Sequence, residues 1–188
     1  MGIAEETVTR LRREYPDISV VARSSTPGTT RKWWLPLRLW WLSLTARWRS
    51  RARRRSQVSG ARRPYQPGLA DPTAAGPVLA VRVGIDGIRG GRSTARCRYQ
   101  LIIDTTDLAK AIPDVWVVSP TDGEIKHVNI WPAHKSLCRW SGTKLPSFCW
   151  YTYANAWLAA PRRSRTLGAA LEYVKQLLNT ENHDSLAR

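Results

Sequence analysis

Residues 78–104 read VLAVRVGIDGIRGGRSTARCRYQLIID, and this stretch decides the fold. VLAVRVGI (78–85) alternates as a half-buried strand does, DGIRGG is rich in turn residues, and STARCRYQLIID (93–104) is its partner in an antiparallel hairpin. A third strand follows in VWVVS (115–119), a β-branched run that ends at the turn PTDG, and EIKHVNIW (124–131) continues in extended form. Regularity fails from about 131 to 161. TLGAALEYVKQLLN (166–179) then sets Leu167, Ala170, Leu171, Val174, Leu177 and Leu178 on one face, which predicts an amphipathic helix. Upstream, Ile3, Val8 and Leu11 stand among acids followed by arginines, the order a helix dipole favours, and Tyr15-Pro16 closes that short helix. The sum is an α+β domain with no internal repeat and no Gly-rich phosphate loop.

The 188 residues carry 30 Lys plus Arg against 14 Asp plus Glu, a net charge of +16. A field of that sign attracts phosphate on nucleic acid or lipid. Its distribution narrows the inference. Residues 31–63 hold about eleven basic side chains and no acid, roughly two-thirds of the net charge, and suit a solvated arm rather than a core. RKWWLPLRLWWLSLTARW opens this arm with Trp33, Leu37, Trp40, Trp41, Leu44 and Trp48 at helical spacing. The stretch is too short to span a bilayer. It fits an interfacial helix on an anionic membrane surface or polyanion, and equally a helix packed on the domain. Pro, Gly, Ala, Ser and Arg dominate residues 49–77, a linker composition. The expected organisation is therefore an N-terminal helix (1–16), a basic Trp/Arg-rich insertion and linker (17–77) and a core (78–188).

Cys97, Cys138 and Cys149 are odd in number and lack the close pairing of zinc ligands, so neither a disulfide framework, a metal site nor a cofactor is expected. The N-terminus has no apolar signal core, which points to a cytoplasmic protein with reduced thiols, held at the membrane periphery if the arm binds lipid. The irregular stretch is where chemistry is expected, since loops between a sheet and a helix commonly present reactive groups. It opens with HVNIWPAHKSLCRW (127–140), where His127 and Asn129 precede Cys138. A thiol can accept and pass on an acyl group, and a nearby Asn amide can donate to the oxyanion formed on the way. Read alone, Cys138 fits a buried small apolar residue better. His134 is near enough in sequence to serve as a base, and Cys149 is a second thiol in an apolar setting; Cys97, between two arginines on a strand, is expected to face the core.

The order and spacing resemble the ubiquitin-conjugating enzymes. In that family an antiparallel sheet delivers a His-Pro-Asn motif, a catalytic Cys follows shortly after the Asn, and a Trp-bearing loop leads to a helix ending in two leucines before an Asn- and Asp-bearing tail. The matching residues here are His127-Val128-Asn129, Leu137-Cys138, Trp150 or Trp157, Thr166-Leu167, and Leu177-Leu178 followed by ENHDSLA. The resemblance spans residues 78–188 and, loosely, 1–16; residues 17–77 have no counterpart.

It implies a ubiquitin-conjugating-enzyme-like fold, with N-terminal helix, β-meander, active-site loop and C-terminal helix. It also implies that Cys138 carries a ubiquitin-like protein as a thioester, received from an activating enzyme and passed to an amine acceptor. Asn129 would then stabilise the oxyanion or order the loop, His127 would be structural, and Asp184 would stand near the family's acidic gate residue. Val128 replaces the motif's Pro, the segment after Cys138 is longer, and the proline-rich approach is reduced to Ile112-Pro113. These departures resemble the divergent prokaryotic relatives, encoded beside activating-enzyme and deubiquitinase-like genes, some in antiphage defence. The alternatives are a non-catalytic relative that binds a ubiquitin-like partner and a protein that docks on nucleic acid or membrane through the arm.

Overall fold

A computed structural model of the chain describes residues 2–24, 72–182 and 187, with only the backbone of Tyr151 and Thr152. The Trp/Arg-rich arm, His183 and Asp184 lie outside the described residues. The elements run α1 (Glu5–Leu11), β1 (Ser19–Arg23), β2 (Val78–Gly90), β3 (Ser93–Asp104), β4 (Val115–Ser119), β5 (Ile130–Trp131), β6 (Ser147–Phe148), α2 (Tyr151–Ala159) and α3 (Leu167–Asn179). This is a mixed α+β fold. Among the described residues three α-helices accompany one six-stranded antiparallel sheet of order β1-β2-β3-β4-β6-β5.

The hairpin is the spine of the sheet. β2 and β3 pair from Ala80 opposite Asp104 to Gly90 opposite Ser93. A two-residue turn joins them, with φ of 68° at Gly91 and 64° at Arg92, the left-handed geometry that suits the twist of a tight hairpin. Alternation then sorts the faces. Val81, Val83, Ile85, Tyr99, Leu101, Ile103, Val115 and Val117 join the large core with α3, whereas Ala80, Ile102 and Trp116 point into a smaller cluster with Cys138 and Trp140. The two clusters thus occupy opposite faces of the sheet.

α3 starts at Thr166, whose hydroxyl accepts from the Ala169 N–H at 3.2 Å, a cap that contributes about 1 kcal/mol. Its six expected core residues are all buried. β1 belongs to the sheet although its composition placed it in the insertion: Ser19 to Arg23 pair with β2, so the domain takes in residues on both sides of the undescribed segment. Residues 86–90 of the DGIRGG stretch continue β2, and only its last residue, Gly91, stands in the turn. Gly90, at φ 88°, brings the hairpin so close that an added Cβ would lie 2.3 Å from the His127 Cα, and a Cβ at Gly87 would lie 2.6 Å from the Leu178 Cβ. These glycines let the strand lie against the His127 segment and the end of α3.

The region from 131 to 161 is more ordered than its sequence implies. It contains β6, α2 and a 3₁₀ turn at Ala133–Lys135. Among the described residues Trp157 of α2 is the largest fully buried side chain; its Nε1–H donates to the Leu108 carbonyl at 3.1 Å and its ring meets Tyr173 edge-on at 6.0 Å. Among the described residues no helix is long and apolar enough to cross a membrane.

Candidate functional site

The segment from Pro120 to Trp131 is pinned before it reaches the motif. Thr121 donates through its N–H and hydroxyl to the Glu124 carboxylate at 2.8 and 2.6 Å, closing a turn that drops Ile125 into the core. Lys126 N–H then donates to the Arg89 carbonyl at 3.2 Å, which ties the segment to the hairpin.

His127 and Asn129 are both buried. The Asn129 N–H donates to His127 Nδ1 at 3.3 Å, so the neutral ring carries its proton on Nε2. That nitrogen is buried without a well-formed hydrogen bond, beside the Leu178 carbonyl and Glu181. Burial holds the imidazole below its ordinary pKa near 6.5, outweighing the opposing pull of Glu181 and the Leu178 carbonyl. His127 therefore orders the loop as a neutral ring.

A depressed histidine pKa has a definite sign in linkage. Below about pH 6.5 the unfolded chain takes up a proton that the folded chain refuses, so the stability of the fold falls as pH drops from that value toward the lower folded-state pKa. Wild-type melting temperature is expected to drop between pH 7.5 and 5, and His127→Gln is expected to flatten part of that drop. Equal slopes in calorimetry of the two proteins would remove His127 from the account.

The Asn129 side chain is committed to the end of α3. Its Nδ2 donates to the carbonyls of Leu177 at 3.1 Å and Thr180 at 2.8 Å, and its Oδ1 accepts from the Asn182 N–H at 3.4 Å. A helix leaves its last carbonyls without intrahelical donors, and Asn129 supplies two. Glu181 extends the same junction: its carboxylate accepts from the Gly91 and Arg92 N–H groups at 2.8 and 3.1 Å. Motif, hairpin turn and helix end are one hydrogen-bonded unit.

Cys138 sits elsewhere. It lies in a short hairpin, Ser136 to Leu145, closed by Cys138 N–H to the Thr143 carbonyl, Gly142 N–H to the Cys138 carbonyl, both 2.9 Å, and Leu145 N–H to the Ser136 carbonyl at 3.2 Å. Trp116 pins its base by donating from Nε1 to the Ser136 hydroxyl at 2.9 Å. The thiol is fully buried among Ala22, Leu79, Ala80, Ile102, Trp116 and Trp140, whereas its neighbour Leu137 is 46% exposed. Cys138 and Asn129 thus serve opposite faces of the sheet, and in this conformation neither the amide nor the thiol is free to meet a substrate.

Of the other residues, His134 is exposed in the 3₁₀ turn after β5. Cys149 is free and partly buried, its N–H donating to the Asn129 carbonyl at 2.8 Å. Cys97 is partly buried against the large core. Arg139, the residue after Cys138, forms an ion pair with Asp104 in which the side chains are only 12% and 8% exposed. Nothing in the local CRW triplet distinguishes this arginine from the many solvated ones. Among the described residues no cluster of three or more His, Cys, Asp or Glu side chains is arranged to hold a metal. No protein-family model, no curated protein and no solved structure matches the chain.

Proposed function

We propose that this chain is a ubiquitin-conjugating-like enzyme that carries a ubiquitin-like protein as a thioester on Cys138 and passes it to an amine. The observation that carries the reading is the order of parts: an antiparallel meander, a rigid His127-Val128-Asn129 segment, a cysteine on the next hairpin, and a closing helix whose end bonds back to Asn129. In the reaction the Cys138 thiolate attacks the carbonyl of the activating enzyme's thioester, forming a new C–S bond and expelling that enzyme's thiol. An acceptor amine later attacks the same carbonyl, forming an amide and returning the Cys138 thiol. His127 and Asn129 act by fixing the loop, the first as a neutral hydrogen-bond acceptor and the second as the clamp on α3. Asp184 takes the part of an acidic group that readies the incoming ammonium by drawing off its proton. The proposed setting is bacterial and cytoplasmic, within a conjugation system of the antiphage kind, with the basic arm as a contact to an anionic surface or to the activating enzyme.

A specific observation favours a second reading, a non-catalytic relative that binds its partner: the Cys138 thiol is wholly enclosed. Mixing the chain with its activating enzyme, ATP and the ubiquitin-like protein separates the two. A heavier, thiol-reducible adduct, absent from Cys138→Ser, is expected for the enzyme. Partner binding without an adduct under any condition supports the binding protein.

A further inference from the structure

We infer that Arg139 is a latch: its ion pair with Asp104 holds the Ser136–Leu145 hairpin closed over the Cys138 thiol, and releasing it exposes that thiol. This deepens the thioester reading and depends on that reading only for what the exposed thiol then does. A nucleophile that receives a protein's C-terminus must reach solvent, yet Cys138 has none of its surface exposed. Exposing it requires the hairpin to lift from the sheet.

Most of the hydrogen bonds around Cys138 are internal to the hairpin and would travel with it. The described polar ties from the hairpin to the sheet fall in two places. At the base, Trp116 holds the Ser136 hydroxyl, and the Pro146 carbonyl just beyond Leu145 accepts from the Val117 N–H at 2.8 Å. Past the base, Arg139 reaches the end of β3, pairing with the Asp104 carboxylate and donating from NH2 to the Thr106 hydroxyl at 2.6 Å. The receiving end is well anchored, since Asp104 Oδ1 accepts from the Thr106 N–H at 2.9 Å and the Asp104 N–H donates to the Asp114 carbonyl at 2.9 Å.

The closed state is also incompletely satisfied. Arg139 Nε and Trp140 Nε1 are buried without partners, although the guanidinium lies 4.5 Å over the Trp140 ring. A buried ion pair must offset the cost of drying both charges, and orphaned N–H groups reduce the margin further. Opening returns the guanidinium, the carboxylate and the indole N–H to water, which offsets part of the cost of exposing the apolar cluster around Cys138. That makes the latch releasable.

The test is alkylation of the intact native chain by N-ethylmaleimide, resolved by peptide mass spectrometry, with Cys97 and Cys149 as internal references. Arg139→Met is expected to speed Cys138 labelling by about tenfold or more while the reference thiols keep their rates. Asp104→Asn is expected to act in the same direction, and Arg139→Lys, which restores the charge, to return the rate toward wild type. If Arg139→Met does not fold, Thr106→Val removes the guanidinium's second anchor and is expected to give a smaller rise in the same place. Unchanged Cys138 labelling in the folded variants, or a rise shared equally by all three thiols, would overturn the latch. Faster Cys138 labelling without an adduct in any variant would sustain the latch and overturn the thioester reading.

Discussion

Trp157→Ala is expected to cost about 3–5 kcal/mol of unfolding free energy, with a fall in melting temperature of about 10 °C or more for a chain of this size. Two effects add. The indole is the largest fully buried side chain among the described residues, so its removal leaves a cavity against Tyr173. It also strands the Leu108 carbonyl, which loses its donor. Leu158, the next residue, is 54% exposed, and Leu158→Ala is expected to shift stability by no more than about 0.5 kcal/mol. Thermal denaturation of the pair checks the claim that Trp157 is the chief anchor of α2, beside the smaller contact of Tyr153 with Tyr173 at 5.0 Å. Equal melting temperatures would show that it is not.

Asn129→Asp is expected to be nearly as damaging, costing about 3 kcal/mol or more. The amide donates two hydrogen bonds to carbonyls at the end of α3; a carboxylate of the same shape offers no donor and sets negative charge against both oxygens. Asn129→Ala removes the donors without adding charge, for an expected cost of about 2 kcal/mol. The ranking matters more than either value, because a residue waiting only for an oxyanion would tolerate both changes in the resting fold. If urea denaturation found both variants as stable as wild type, the α3 clamp would be the wrong role for Asn129.

The parts of the fold legible in the sequence were those whose reason lies in periodicity. β2, β3, β4 and α3 declare themselves by alternation, a β-branched run or helical spacing; what the pattern hides is that Leu79, Ala80, Ile102 and Trp116 are buried too, on the second face of the sheet. β1 has five residues and pairs with a strand far along the chain, so its stability comes from a partner that local pattern does not reveal. α2 buries mainly Trp157 and therefore carries little helical periodicity. The glycines after Ile85 suggested a turn because turns favour glycine, but at 87 and 90 their use is to admit the helix end and the His127 backbone.

The candidate site was legible as a list of residues and not as an arrangement. The burial of Cys138 depends on Trp116 and Ile102 arriving from other strands, and the Asp104–Arg139 pair joins residues far apart in the chain. The resemblance placed Asn129 beside the thiol; the structure commits its side chain to α3.

The central claim is that one particular thiol carries the transferred protein. Peptide mass spectrometry of the wild-type adduct, formed with the activating enzyme, ATP and the ubiquitin-like protein and kept free of reductant, tests it directly. The expected result is a thioester on Cys138, with Cys97 and Cys149 unmodified; a linkage at either of those cysteines, or no thioester at all, would contradict the account.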